Sequence, residues 1–251
     1  MPTIVEVKLY KYDELSEKAK EKAREWWKRA SEHDEFWDST YDDFKEVAAR
    51  MGFDIGTRTE NWHCTDGRSG SRQRDTIYFS GFWSQGDGAC FEGTWQPHPP
   101  LENSSKKTFP SFREAVQDHA PKDETLINIA TELDKARDWV AKHNAASGDP
   151  KGNCRFCHVT AKITQRGHYN HSGCMDFEFR DNEWEDANGN WHNLPDWFEP
   201  LIIKQARALA DWLYKQLEAA HDDYYSDEVV ADNIRANEYD FEEDGVRTRH
   251  A

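Results

Sequence analysis

Apolar residues recur every three or four positions over several long stretches of this chain, and alternate with polar ones over the shorter stretches between. Ala19, Ala23, Trp26 and Ala30 form one stripe behind Ser16, which has the chemistry of an N-cap, and so predict a helix over 16–30. Trp37, Tyr41, Phe44, Ala48 and Met51 mark a second helix, which Gly52 ends. A short helix is predicted over 112–119, and a longer one over 123–143 with Leu126, Ile129, Leu133, Ala136 and Val140 on its apolar face. The longest runs over 196–220, where Phe198, Leu201, Ile202, Leu209, Trp212, Leu213 and Leu217 make a continuous stripe, and another short one follows over 227–236.

Strand signals fall between these helices. Val5, Val7 and Leu9 alternate with Glu6 and Lys8, and 54–60 reads as a further strand. Over 76–95, two aromatic-rich runs flank Gly86-Asp87-Gly88, the pattern of a β-hairpin. The segments 155–165 and 174–180 read as paired strands whose apolar faces carry Val159, Ala161, Ile163 and Met175, Phe177, Phe179. A small closing hairpin is expected over 239–249, turning at Asp244-Gly245. Irregular insertions are expected at about 61–75, 97–110 and 181–195, the last with a turn at 188–190. The sum is a single α+β domain over 1–251, a mostly antiparallel sheet packed against several amphipathic helices.

Composition changes this picture in two ways. Hydrophobic residues make up only 37%, yet 11 Trp help bring the aromatics to 13%, so a few large rings must hold the core together. The net charge of −16 argues against a general DNA, RNA or anionic-membrane binder, because neutralising phosphates takes Lys and Arg. It leaves room for a basic protein partner, for a small ligand held by a few local cations, or for an acidic mimic of DNA. The most basic short stretch is 61–75, with Arg68, Arg72 and Arg74. It reads either as a solvated loop or as an anion clamp beside the following hairpin. No apolar run is long enough to cross a membrane, and the opening Met-Pro-Thr-Ile-Val-Glu has no signal-peptide pattern, so a cytoplasmic protein is expected. Five Cys, an odd number, fit reduced thiols better than a disulfide framework.

The candidate chemistry gathers at two turns. A hairpin turn needs its glycines but has no need of Phe82, Trp83, Ser84, Gln85 and Asp87 on its lip, and this surplus marks a candidate binding site. Arg166, His168, Tyr169 and His171 lie in the turn between the later strands and can offer an anion contact, a stacking ring and a general base. If the two turns share one end of a sheet, they form one polar site in which Asp87 orients His168 or His171.

Two cysteine patterns need weighing. Cys154-Arg-Phe-Cys157-His158 matches a c-type haem attachment pattern but lacks the export signal that haem attachment requires. Cys154, Cys157, His171 and Cys174 are an acceptable tetrahedral zinc set. Strand geometry opposes it, since side chains three apart on a strand point to opposite faces. No metal or cofactor is expected. Near the C-terminus, Tyr224, Tyr225, Tyr239 and Phe241 are interleaved with acidic residues and suggest a docking face for a basic protein.

With these residues in view, the chain resembles a family of bacteriophage and prophage proteins labelled as the antitoxin of a toxin–antitoxin stability system. The resemblance is carried by 15–19 through Trp26, by the Phe82-Trp83-Ser84-Gln85-Gly86-Asp87-Gly88-Ala89-Cys90-Phe91-Glu92-Gly93 run, and by Arg166-Gly167-His168-Tyr169 with His171. It continues in Trp212-Leu213-Tyr214 with Leu217-Glu218, Ser226-Asp227-Glu228, and Asn237 through Phe241. The chain departs from that pattern in its longer 61–75 and 97–110 segments, in Tyr169-Asn170-His171 where the family reads Tyr-Tyr-His, and in the Cys154/Cys157 pair. The resemblance implies a phage accessory protein that works in the host cytoplasm and neutralises a partner, and the expectation drawn here is that this partner is a host toxin or anti-phage defence component. The partner would be either a protein effector or a small nucleotide signal. It implies no reaction. A hydrolase or phosphodiesterase-like enzyme using His168, His171 and Asp87 is the alternative expectation.

Overall fold

The structure is a computed structural model of the chain and describes residues 8–32, 34–98, 108–146, 158–185 and 190–248. Among these residues the elements are helices with antiparallel sheets, an α+β fold. They divide into two compact units, one built from the two ends of the chain (through Ser39 and from Leu217) and one from Thr40–Gln216.

The first unit packs α1 (Glu17–Ala30) against α6 (Asp227–Ala236). Ser16 caps α1 by accepting the Ala19 amide, and Ser226 caps α6 by accepting that of Val229, so both predicted starts are built as expected. Ala19, Ala23 and Trp27 of α1 meet Val230, Ala231, Ile234 and Phe241 in one core. Ala19 and Ala23 of the predicted stripe are buried, but its aromatic core member is Trp27 rather than Trp26, which packs half-buried against the core, and Ala30 is exposed. Tyr10 and Arg247 both bridge to Phe241, and the chain reverses through Gly245 at φ +85°. Acidic residues of the C-terminal run meet cations of the N-terminal segment: Asp227 lies 2.9 Å from Lys28 Nζ, Asp240 2.8 Å from Lys11, and Asp244 2.6 Å from Lys22. The acidic run is thus partly neutralised inside its own unit.

In the second unit α2 (Asp38–Ala49) is followed by Gly52 at φ +86°. The chain then forms β1 (Phe53–Ile55), β2 (Thr57–His63), β3 (Ser69–Asp75), β4 (Ile77–Phe79), β5 (Ala89–Phe91) and β6 (Gly93–Trp95). After α3 (Phe112–His119) and α4 (Glu124–Ala146) come β7 (Thr160–Gln165), β8 (Met175–Arg180), β9 (Glu183–Glu185), β10 (Trp191–Asn193) and α5 (Phe198–Tyr224). The main sheet has the order β1-β6-β7-β8. Its register sets Phe53, Trp95, Ala161 and Phe179 side by side, then Gly93, Ile163 and Phe177, which places the predicted apolar residues of β7 and β8 on one face. Trp95 is fully buried there, its indole N–H donating to the Met51 carbonyl at 3.0 Å.

Helix ends are fixed by carboxylates. Asp134 of α4 accepts the Phe112 and Arg113 amides at the start of α3, and Asp123 accepts both the Leu126 amide and the Trp212 indole N–H.

Two expected insertions are ordered. The 61–75 segment is not an irregular loop: β2 and β3 pair over their whole length, from Thr57↔Asp75 to His63↔Ser69. In the 181–195 segment β9 pairs with β10. The strand predicted over 54–60 is broken at Gly56, where the β1–β2, β3–β4 and β5–β6 junctions meet in a closed ring of backbone bonds. Gly56 N–H donates to Glu92 O, Glu92 N–H to Thr76 O, and Thr76 N–H to Gly56 O, at 2.8–2.9 Å. A Cβ on Gly56 would fall 2.8 Å from Thr76 Oγ1, so the ring requires glycine. Most of 97–110, the opening strand before Lys8 and the 188–190 turn lie outside the described residues.

Candidate functional site

The first turn is built on β4 and β5, which pair as the predicted hairpin with Ile77 opposite Phe91. Its loop is longer than a tight turn and closes where Ser80 N–H meets Gly88 O at 3.1 Å. Inside it, one carboxylate oxygen of Asp87 accepts both the Trp83 and the Ser84 amides, at 2.9 and 2.6 Å. Gly81 and Gly86 take positive φ. Phe82 stacks on Phe79 at 5.9 Å and lies 5.5 Å from the Tyr214 ring, whose hydroxyl donates to Gly81 O. With the backbone held on both sides, Trp83 projects outward and is 86% exposed.

The second turn joins β7 to β8. Arg166 N–H donates to Cys174 O at 2.7 Å, and Gly167 takes φ +93°. A 3-10 turn at Ser172–Cys174 follows, capped by His171, whose Nδ1 accepts the Gly173 amide at 3.0 Å. Its Nε2 lies 3.4 Å from Cys174 Sγ, so both ring nitrogens are engaged within the turn. The Arg166 guanidinium pairs with Asp176 at 3.2 Å. Tyr169 is 61% exposed, and His168 is exposed as well.

These two turns meet. Asn170 donates from Nδ2 to Phe79 O at 3.2 Å and accepts from Gln165 at 2.7 Å. Gly88 is buried against His171 so closely that a Cβ would fall 2.5 Å from the histidine Cβ and 2.8 Å from its Cα. A Cβ on Gly86 would touch the Tyr169 ring at 3.3 Å. Beneath them Glu92 ties the strands together, accepting the Gln165 amide with one oxygen and the Tyr78 hydroxyl with the other. Asn170, Gln165, Glu92 and Tyr214 were not among the candidate site residues read from the sequence. Each acts through a long-range bond that local patterning does not register.

The expected Asp87–imidazole contact is replaced by the bonds to Trp83 and Ser84, and among the described residues no hydrogen bond joins Asp87 to His168 or His171. Of the zinc set, His171 and Cys174 do lie side by side. The chain between them is a 3-10 turn rather than a strand, so strand alternation does not separate them. Cys154 and Cys157 lie outside the described residues, and among those described no group of three metal-ligating side chains is present. Of the proposed C-terminal docking residues, Phe241 lies in the core of the first unit and Tyr224, Tyr225 and Tyr239 pack half-buried against it. Phe241 is fully buried, the Tyr224 hydroxyl donates to Asp34, the Tyr225 hydroxyl donates to Ser31 O, and Tyr239 packs edge-on to Trp26 at 5.2 Å. A groove of about 450 Å³ opens beside Asn182, Asn193 and Glu199, and none of the predicted site residues lines it.

Burial pushes the Cys90 thiol up to about 12, reinforced by the neighbouring Cys174 and Glu92. Cys64 is exposed. Alkylation at about pH 8 should therefore label Cys64 rapidly and leave Cys90 unmodified until denaturant is added. Peptide mass spectrometry reads this directly, and equal rates for the two would contradict the burial.

The chain belongs to the family described as Domain of unknown function (DUF8835), whose model matches residues 36–227 and so includes both turns. Neither a curated protein nor a solved structure matches it. Among the described residues no helix is long and apolar enough to cross a membrane.

Proposed function

We propose that this chain is a non-catalytic, phage-type accessory protein that neutralises a host toxin or anti-phage defence component in the host cytoplasm, with the rim of the two turns as its binding site. The observation that supports binding over turnover is the division of roles at that rim. Asp87 and His171, the groups suited to proton transfer, hold backbone amides in place, while Trp83 and Tyr169 are turned to solvent at 86% and 61% exposure. Rings carried on a backbone held in this way are suited to act as binding anchors, because the loop that presents them does not have to be ordered when a ligand stacks on them. With Arg166 and His168 nearby, a nucleobase bearing a phosphate fits the chemistry better than an apolar helix.

The test is titration of the full chain with mono-, di- and cyclic nucleotides, followed by calorimetry and intrinsic fluorescence. Saturable binding is expected, weakened about tenfold or more in Trp83→Ala with the melting temperature unchanged. Silence across the panel rules out the nucleotide signal and leaves a protein effector as the partner. Turnover that survives Trp83→Ala but is lost in His168→Ala would replace the reading with a hydrolytic one.

A further inference from the structure

The β2–β3 hairpin carries a second surface. Pairing Arg58↔Arg74, Glu60↔Arg72 and Trp62↔Gly70 puts these six residues on one face, and the other face is formed by Thr57, Thr59, Asn61, His63 and their partners. The first face thus holds three arginines against one glutamate, in a chain of net charge −16. Glu60 accepts from the Nε groups of Arg72 and Arg74 at 2.8 and 2.7 Å through a single oxygen, which aligns the two guanidinium groups. Arg58 lies over the Tyr78 ring at 5.0 Å. Trp62 lies across its partner strand, with the Gly70 backbone so near that a Cβ there would fall 2.7 Å from the indole Cζ2. The ring is therefore supported from below by a residue that has no side chain, and it is 41% exposed.

We infer that this face binds a short stretch of single-stranded nucleic acid, the bases stacking on Trp62 and the phosphates meeting Arg72, Arg74 and Arg58. Two features favour this partner over an acidic protein segment. An indole laid flat on the strand offers a π-face to any base, and same-face residues on a strand recur about every 6.8 Å, a step suited to successive phosphates of an extended strand. The acidic remainder of the molecule confines the attraction to this hairpin, so binding is short-range and salt-sensitive rather than general. The inference does not depend on the rim of the two turns.

Anisotropy of a short labelled oligothymidylate with the full chain, from about 20 to about 200 mM salt, tests it. The native chain is expected to bind with a log–log salt slope of about −2, the value for three phosphates neutralised on a single strand, and Arg72→Ala to flatten it by about 0.7. Trp62→Ala and Gly70→Ala, which remove or displace the indole, should each weaken binding about tenfold at unchanged slope. Glu60→Gln should tighten it by removing the competing carboxylate. Arg180→Ala, which removes a cation on β8 away from this face, should bind as the native chain does. Absence of binding at low salt, a slope indifferent to Arg72, or binding insensitive to Trp62 but competed equally by polyglutamate would overturn the inference, the last in favour of an acidic protein partner.

Discussion

Trp95→Ala should lower the unfolding free energy by about 4 kcal/mol, the largest loss expected from one side chain among the described residues. Trp95 is fully buried in β6, which pairs with β1 on one side and β7 on the other, and its ring lies 6.1 Å from that of Phe198. Removing it leaves a cavity too large for neighbouring strands to close and deprives the Met51 carbonyl of its donor. Trp95→Phe separates the two contributions in part, because it keeps most of the ring volume while losing the N–H and leaving only a small cavity. An intermediate loss of about 1–2 kcal/mol is expected for it. Urea unfolding followed by far-ultraviolet dichroism gives both values. A Trp95→Ala midpoint close to the native one would mean that the sheet is not anchored on this ring.

Gly88→Ala is expected to cost about 2–3 kcal/mol by a different mechanism. A methyl group at this position meets the Cα and Cβ of His171, backbone and near-backbone atoms that cannot swing aside, so one turn must move away from the other. The first bonds to lengthen should be Asn170 to Phe79 O and Ser80 to Gly88 O. Hydrogen exchange locates the damage: the amides of Trp83, Ser84 and Gly173 should exchange faster, and that of Ile163 in the middle of β7 should not. Any ligand of the rim should be weakened in parallel. Uniform acceleration across the sheet would show that the substitution unfolds the unit rather than parting the turns.

The long helices were legible because their buried residues repeat at helical spacing: Leu126, Ile129, Leu133, Ala136 and Val140 of α4 are all buried, as the stripe predicts. The apolar face of β7 and β8 was legible for the same reason, at a period of two. The hairpin of β2 and β3 was not. Its strands bury almost nothing, so no apolar alternation marks them, and they are held instead by cross-strand pairs such as Gln73 with Thr59 and Arg72 with Glu60. The acidic neighbours of Tyr224, Tyr225 and Phe241 gave no sign that Phe241 is fully buried or that the two tyrosines pack half-buried against the same core, since carboxylates around a ring report what is exposed and not where the ring itself points. The Trp-Ser-Gln-Gly-Asp-Gly lip stood out because its aromatic and polar side chains exceed what a turn requires. That it meets the later turn depends on Asn170 and on the lack of a side chain at Gly88, neither of which is visible in local sequence.

The closed circuit at Gly56, Thr76 and Glu92 has one further consequence. It seals the body of the sheet before the β2–β3 arm departs, so the arm hangs from a fixed collar. Matching pairs of residues can be inserted into or deleted from both strands in steps of two, lengthening or shortening the arm while leaving every inward-pointing residue below the collar in its place.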